Sequence, residues 1–401
     1  MKLSFKKIIS SAAILSAASL LFAVETGGLI SNDTKLANTD ESNSLKLTQK
    51  NGINLWFRTP LNEDGKSYFT GEGAFRTEYD DTVINSDQKF KLALDVNLFK
   101  LVLHKELDSG SIIFSAGRFF NNDLTGIIYA QNGDGAKLSA TFSGVEISAF
   151  AAFTGLLNAK NVTILEEKDH KKDEVNLIDK EKNLYVLANK YAIGAVTFSL
   201  PHIFASQTIS FEGFGALSLE STKFNRFYAT AALNGPIVSP IFYSLSSTFG
   251  FASYDGGDTK TGNLTQGAIL FYPNFKSMSL SLNGLYASGK QGSFDSFSGF
   301  TSGTAINSTK DAEYSSLLKT GLSATIKPLS NLVFLAGGDL VFDASEDIKY
   351  AGIQYLLGLN YQAVSDVSLG INFSQYIGKD DFAESIGKSK TQLKINAAIA
   401  F

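Results

Sequence analysis

The chain has 401 residues, of which 44% are hydrophobic and 18% charged, with a formal net charge of -4 and no cysteine. The acidic balance argues against a nucleic-acid partner. The missing cysteine excludes a disulfide scaffold, a cysteine-based zinc site and a lipid-modified N-terminal cysteine, and a mean hydropathy of +0.03 lies far below that of a helical membrane protein.

The chain begins with Lys2, Lys6 and Lys7, then an apolar stretch from Ile8 to Phe22 and a small residue, Ala23, ahead of Glu25. This is the layout of a secretory signal peptide over 1–23, too short for a spanning helix, which needs about 20 apolar residues. Residues 24–45 read either as a polar N-terminal segment or as a weak first strand near Thr26 to Leu36. A unit built from strands fills 46–401.

Along that unit apolar and polar residues alternate with the period of two that a strand requires and a helix would scramble. Phe69, Phe75 and Tyr79 oppose Glu72, Arg76 and Glu78. In Lys89 to Leu98, Phe90, Leu92, Leu94, Val96 and Leu98 share one face, with Lys89, Lys91, Asp95 and Asn97 on the other. Arg118 follows in SAGRFF, and the acidic glycine turns at 132–135 and 255–258 read as loop tips, short of a calcium-loop pattern. Val145, Ile147 and Ala149 oppose Glu146 and Ser148; Ile209 and Phe211 oppose Ser210 and Glu212. The last strand sets Leu393, Ile395, Ala397, Ile399 and Phe401 against Gln392, Lys394 and Asn396.

Tight connections fall at Asn62–Gly65, Asp108–Gly110, Ser143–Gly144, Pro201–Ser206, Asn234–Pro240, Pro273–Ser277, Pro328–Asn331 and Ser365–Asp366, and longer polar loops lie between most of them. Short turns on one side and long loops on the other are the pattern of a transmembrane antiparallel β-barrel. Eight hairpins plus a strand at each end predict 18 strands, with 16 and an N-terminal arm as the alternative. The longest loop, Leu156 to Asn183, reads as a solvated surface loop or as one folded into the lumen to narrow it.

A basic side chain facing lipid at mid-membrane costs about 2–4 kcal/mol. Glu72, Arg76, Glu78, Lys89, Lys91, Asp95, Arg118, Lys137 and Glu146 are therefore expected to face the lumen. There they either tune ion preference or pair across strands and brace the interior. His104, His170 and His202 are scattered and no nucleophile motif accompanies them, so no enzyme, metal site or cofactor is expected.

The leader, the alternating strands and the closing strand with Leu393, Ile395, Ile399 and the terminal Phe401 together resemble the outer-membrane porin-type β-barrels of diderm bacteria. The stretch Ala116 to Gly135 and the Lys/Ser/Asn-rich style are similar to porin-like proteins of spirochaetes. The resemblance implies residence in the cell outer membrane among its lipids and a closing strand read by the barrel-assembly machinery. It also implies passive diffusion of small hydrophilic solutes. The alternatives are a hydrophobic-solute transporter plugged by its N-terminal segment and a surface adhesin displayed on the barrel.

Overall fold

The computed structural model describes residues 24–39, 44–82, 89–168, 171–174, 183–221, 223–254, 259–273, 277–289, 295–301 and 303–401. The expected leader over 1–23, His170 and the 255–258 turn lie outside them. In chain order the strands are β1 (Glu25–Thr39), β2 (Ser44–Pro60), β3 (Tyr68–Thr82), β4 (Lys89–Leu107), β5 (Gly110–Asn122), β6 (Ala130–Phe142) and β7 (Val145–Phe153). A small hairpin of β8 (Leu165–Lys168) and β9 (Lys171–Glu174) interrupts the series. It resumes with β10 (Tyr191–Leu200), β11 (Thr208–Ser218), β12 (Phe224–Val238), β13 (Ile241–Tyr254), β14 (Thr259–Phe271), β15 (Ser279–Ala287), β16 (Leu317–Leu329), β17 (Leu332–Asp343), β18 (Lys349–Val364), β19 (Val367–Gly378) and β20 (Lys390–Ala400).

Each wall strand runs antiparallel to the next, β7 pairs with β10 across the inserted hairpin, and β1 pairs with both β2 and β20. The result is a closed barrel of 18 strands, the number that the turn pattern predicts. The 16-stranded alternative fails because Glu25–Thr39 is a complete wall strand. That same placement keeps this segment out of the lumen, where a plug would sit.

Turn chemistry sets the hairpins. Ser143 and Gly144, with φ of 46° and 86°, form the left-handed pair that a two-residue hairpin needs to match the twist of its strands. Alternation then sorts the faces. Ile53, Phe75, Leu138, Val196, Phe211, Leu282, Leu322, Leu357 and Ile395 lie exposed on the outside. An apolar surface that encircles the molecule is far beyond the few hundred Å² a soluble monomer tolerates, and suits hydrocarbon.

Two sequence expectations are corrected here. Residues 132–135 are no loop tip but part of β6, paired with Phe120 to Gly117 of β5. In β4, a bulge opposite Glu72 and Gly73 inserts Asn97 as an extra residue. Leu98 therefore pairs with Glu72 on the inner face, and Phe99 and Leu103 take over the outside.

The interior is not uniformly wet. From β7 to β12 the inner face carries Phe150, Tyr191, Ile193, Phe214 and Tyr228, all buried. Two infolded loops cover them, Asp123–Tyr129 and the 295–316 connection, through Ile128, Tyr129, Phe297 and Phe300. Tyr129 stacks on Phe150 at 5.8 Å and on Phe214 at 5.5 Å, and Tyr191 meets Phe300 edge-on at 5.0 Å. This half of the barrel is packed like a protein core. The open, charged half lies along β20 and β1 to β4.

Candidate functional site: the charged lumen wall

The charges of the open half form a ladder across strands. Lys394 of β20 meets Asp33 of β1 at 3.2 Å; Lys50 of β2 meets Glu78 of β3 at 2.9 Å; Lys91 of β4 meets the same Glu78 at 3.3 Å. Asp80 accepts a 2.7 Å hydrogen bond from Thr48 and lies 3.9 Å from both Lys46 and Lys91. Glu72 accepts from Asn54 at 2.8 Å and Asn97 at 2.7 Å. Thr48 with Asp80, Lys50 with Glu78 and Glu78 with Lys91 are direct pairs in register, whereas Lys394 with Asp33, Lys46 with Asp80 and Asn54 with Glu72 reach diagonally along the same face. The ladder borders a cavity of about 480 Å³ between the β1–β4 wall and loop residues Lys160 to Thr163.

Of the nine charged residues expected inside, the structure brings Glu72, Arg76, Glu78, Lys91 and Asp95 together at this wall. Lys89 pairs in register with Asp80 at its upper end. Lys137 is opposite Ser115 and Phe150 farther round the barrel, and Glu146 sits next to the Ser143–Gly144 turn, away from the cavity. Arg118 is the exception in kind, because it faces a breach in the wall and not the open lumen.

The breach arises in β4 and β5. Their pairing stops at Phe99 and Arg118, yet β4 runs on for ten residues, Lys89 to Leu98, with no strand on that edge among the described residues. Gly117 makes the divergence possible: its φ of 115° is a conformation other residues rarely adopt, and a Cβ there would strike the Phe99 carbonyl. An open strand edge in hydrocarbon costs several kcal/mol per unsatisfied group. The loop after β7, expected mainly as a solvated excursion, fills the gap instead.

Segments 156–161 and 183–188 of that loop pair with each other and then with β4. Ala159 N–H donates to Val186 O at 2.7 Å, Ala188 N–H to Leu157 O at 3.0 Å and Leu94 N–H to Leu184 O at 3.0 Å. Side chains finish the seal: Asn158 donates to Leu94 O at 2.8 Å, Lys160 to Leu92 O at 2.9 Å and Asn132 to Asn97 O at 2.9 Å. Leu156, Leu184 and Leu187 face outward, while Leu157, Ala159, Val186 and Ala188 are buried behind them.

Arg118 is the centre of the patch. It makes a bidentate pair with Asp134 at 2.6 and 2.8 Å, and donates to Leu156 O at 2.7 Å, Tyr185 Oη at 3.1 Å and Val96 O at 3.2 Å. Asp95 lies 3.6 Å away and accepts from Asn161 at 2.7 Å, and Asn161 in turn accepts from Arg76 at 3.1 Å. The mended wall is thereby wired to the charged ladder.

The opposite, packed half is held as firmly. Arg226 of β12 is fully buried, donating to Leu165 O at 2.6 Å and Gly299 O at 3.0 Å. Its guanidinium lies 4.3 Å from the ring centre of Phe224 and 4.6 Å from that of Phe300, a cation–π cradle. The far end of the 295–316 connection reaches β18 and β19, where Asn307 bonds Gln354 and Ser374, each at 2.8 Å. A second cavity of about 380 Å³ lies by Ile127, Gln266, Asn283, Tyr314, Lys319 and Asp339.

Sequence reasoning missed Asp33, Lys50, Asp134, Lys160 and Asn161. Asp33 alternates with polar Asn32 and Thr34, which erases the two-face signal, and Asp134 is disguised by its flanking glycines. Asn161 carries no local signal at all. Chemically, the assembled wall can offer water and a mobile solute closely spaced charges of both signs.

No protein-family model matches the chain, and no curated protein matches it either. Solved structures do match. OccK5 (OpdH) of Pseudomonas aeruginosa superposes with a TM-score of 0.59 at 12% identity, over 94% of this chain and 98% of that one. OccAB2 of Acinetobacter baumannii gives 0.60 at 9% identity, over 94% and 98%. The outer membrane protein opdK of Pseudomonas aeruginosa gives 0.56 at 9% identity, over 94% and 99%. At such identities the likeness is one of fold, and it extends over nearly the whole barrel.

Proposed function

We propose that the chain is an outer-membrane porin through which small hydrophilic solutes diffuse passively. One observation carries the reading: a closed wall, apolar outside, encloses a charge-lined cavity of about 480 Å³. A barrel of this many strands encloses an aqueous channel, and the infolded loops occupy part of it. Passage needs no covalent step. A solute exchanges part of its hydration for contacts with side chains that hold it weakly at several points, so it can both enter and leave.

The cavity wall supplies Lys50, Arg76, Lys91 and Lys160 against Asp33 and Glu78, a balance that favours anions. Location in the outer membrane, and insertion there by a machinery that reads Leu393, Ile395, Ile399 and Phe401, belong to the same proposal. Those four side chains occupy the outward face of β20, in register with Leu36, Thr34 and Ile30 of β1 where they pair. Planar-bilayer recording of the refolded protein tests the function. Stepwise conductance is expected; a folded barrel without it overturns the proposal. Reversal potentials in a salt gradient should show anion preference, and Lys50→Glu should move it toward cations.

A further inference from the structure

The outer face of β1, β2 and β3 breaks its own rule at mid-height. Asn32, Thr34, Gln49, Asn51 and Thr77 occupy outward positions, in one block of direct pairs: Asn32 with Asn51, Thr34 with Gln49, Asn51 with Thr77. Neighbours along the same strands fix the direction. Asp33, Lys50, Arg76 and Glu78 face the lumen, while Ile30, Ile53 and Phe75 share the outward set and are apolar. Leu36 and Leu47 bound the block on the loop side, and Ile395 and Ala397 bound it toward β20. The island is thus ringed by the lipid-facing belt.

Part of its polarity is satisfied internally. Thr34 donates to Asn32 at 3.1 Å, Asn32 to Asn51 at 2.7 Å and Asn51 to Thr77 at 3.3 Å. The Gln49 side chain has no hydrogen-bond partner among the described residues, and each amide keeps capacity to spare. A smaller outward group on β13 and β14 provides the contrast. There Asn263 bonds Ser247 and the Thr248 carbonyl and accepts from Thr265, and Ser247 bonds Thr265, so the group is self-contained. Hydrocarbon offers nothing to an unpaired amide.

We propose that the island is the contact surface for a second copy of this chain. Amides both donate and accept, so a patch of Asn and Gln complements itself. Two copies inserted in the same sense are related by a two-fold axis along the membrane normal. Such an axis preserves depth, and each island therefore meets its own counterpart in an isologous contact. The apolar rim then closes around the paired amides and excludes lipid from them.

The absence of cysteine gives a clean reporter. Asn51→Cys, reconstituted in vesicles and treated with a short bis-maleimide, should give a dimer as the main product, whereas Leu357→Cys on another outward face should not. Native mass spectrometry of the unmodified chain in nanodiscs should show two copies. The triple variant Asn32→Leu, Gln49→Leu, Asn51→Leu should lose at least tenfold in dimer population, and Ser247→Ala with Thr265→Val should leave it unchanged. Heat-modifiable mobility reports whether each variant is a folded barrel, and conductance per barrel should be the same in monomer and dimer. A chain that stays monomeric in the bilayer overturns the proposal. So does a triple variant that dimerises fully, or an Asn51→Cys chain that cross-links only to a different protein in cells. None of these results depends on which solute the channel carries.

Discussion

The barrel has two joints that are closed by different physics. Between β20 and β1 the ladder is all main chain, from Leu29 and Ala400 up to Thr39 and Lys390. Paired bonds between Gly28 and Phe401, at 2.8 and 3.0 Å, carry it to the final residue. Between β4 and β5 the ladder covers only the half near the turns, and one arginine, two asparagines, one lysine and a folded loop complete the rest. A main-chain joint is indifferent to most side chains. A joint made of side chains depends on a few residues and fails when one is removed.

Substitutions of decreasing severity separate the two. Arg118→Ala should cost the most, about 3–5 kcal/mol, because it strands the Asp95 and Asp134 carboxylates in a buried patch. Urea titration of the refolded barrel would register it, and a loss under about 1 kcal/mol would refute the role given to Arg118. Gly117→Val should follow, with about 1–3 kcal/mol of backbone strain on top of the collision with Phe99. Asn158→Ala removes hydrogen bonds to Leu94 O and Leu184 O, at 2.8 and 3.1 Å, and should cost about 1 kcal/mol. Its second signature is noisier current from a wall that opens locally. Ala398→Ser, on the inner side of the closing joint beside Ser31 and Ser368, should stay within about 0.5 kcal/mol.

The same contrast explains what could be read beforehand. The strand count and the short turns were legible because alternation and turn residues are local. The expectation that Glu72, Arg76, Glu78 and Lys91 face inward came from the rule that a charge cannot face lipid cheaply. Leu98 was misplaced since a bulge shifts the period without changing the composition. Phe214 and Tyr228 escaped notice because alternation marks a wet inner face, and here that face is dry under two loops. The breach between β4 and β5 is a matter of pairing between distant segments. Nothing in Leu156 to Asn183 itself announces that Asn158 must satisfy Leu94.

Arg226 bears on how such a passage would behave in use. A single guanidinium, locked between aromatic rings, ties two separate loops to one strand through Leu165 and Gly299. Constricting elements fixed in this way act as a nozzle and not a valve. The open state should not gate with membrane voltage, leaving any control of traffic to how many copies the cell makes.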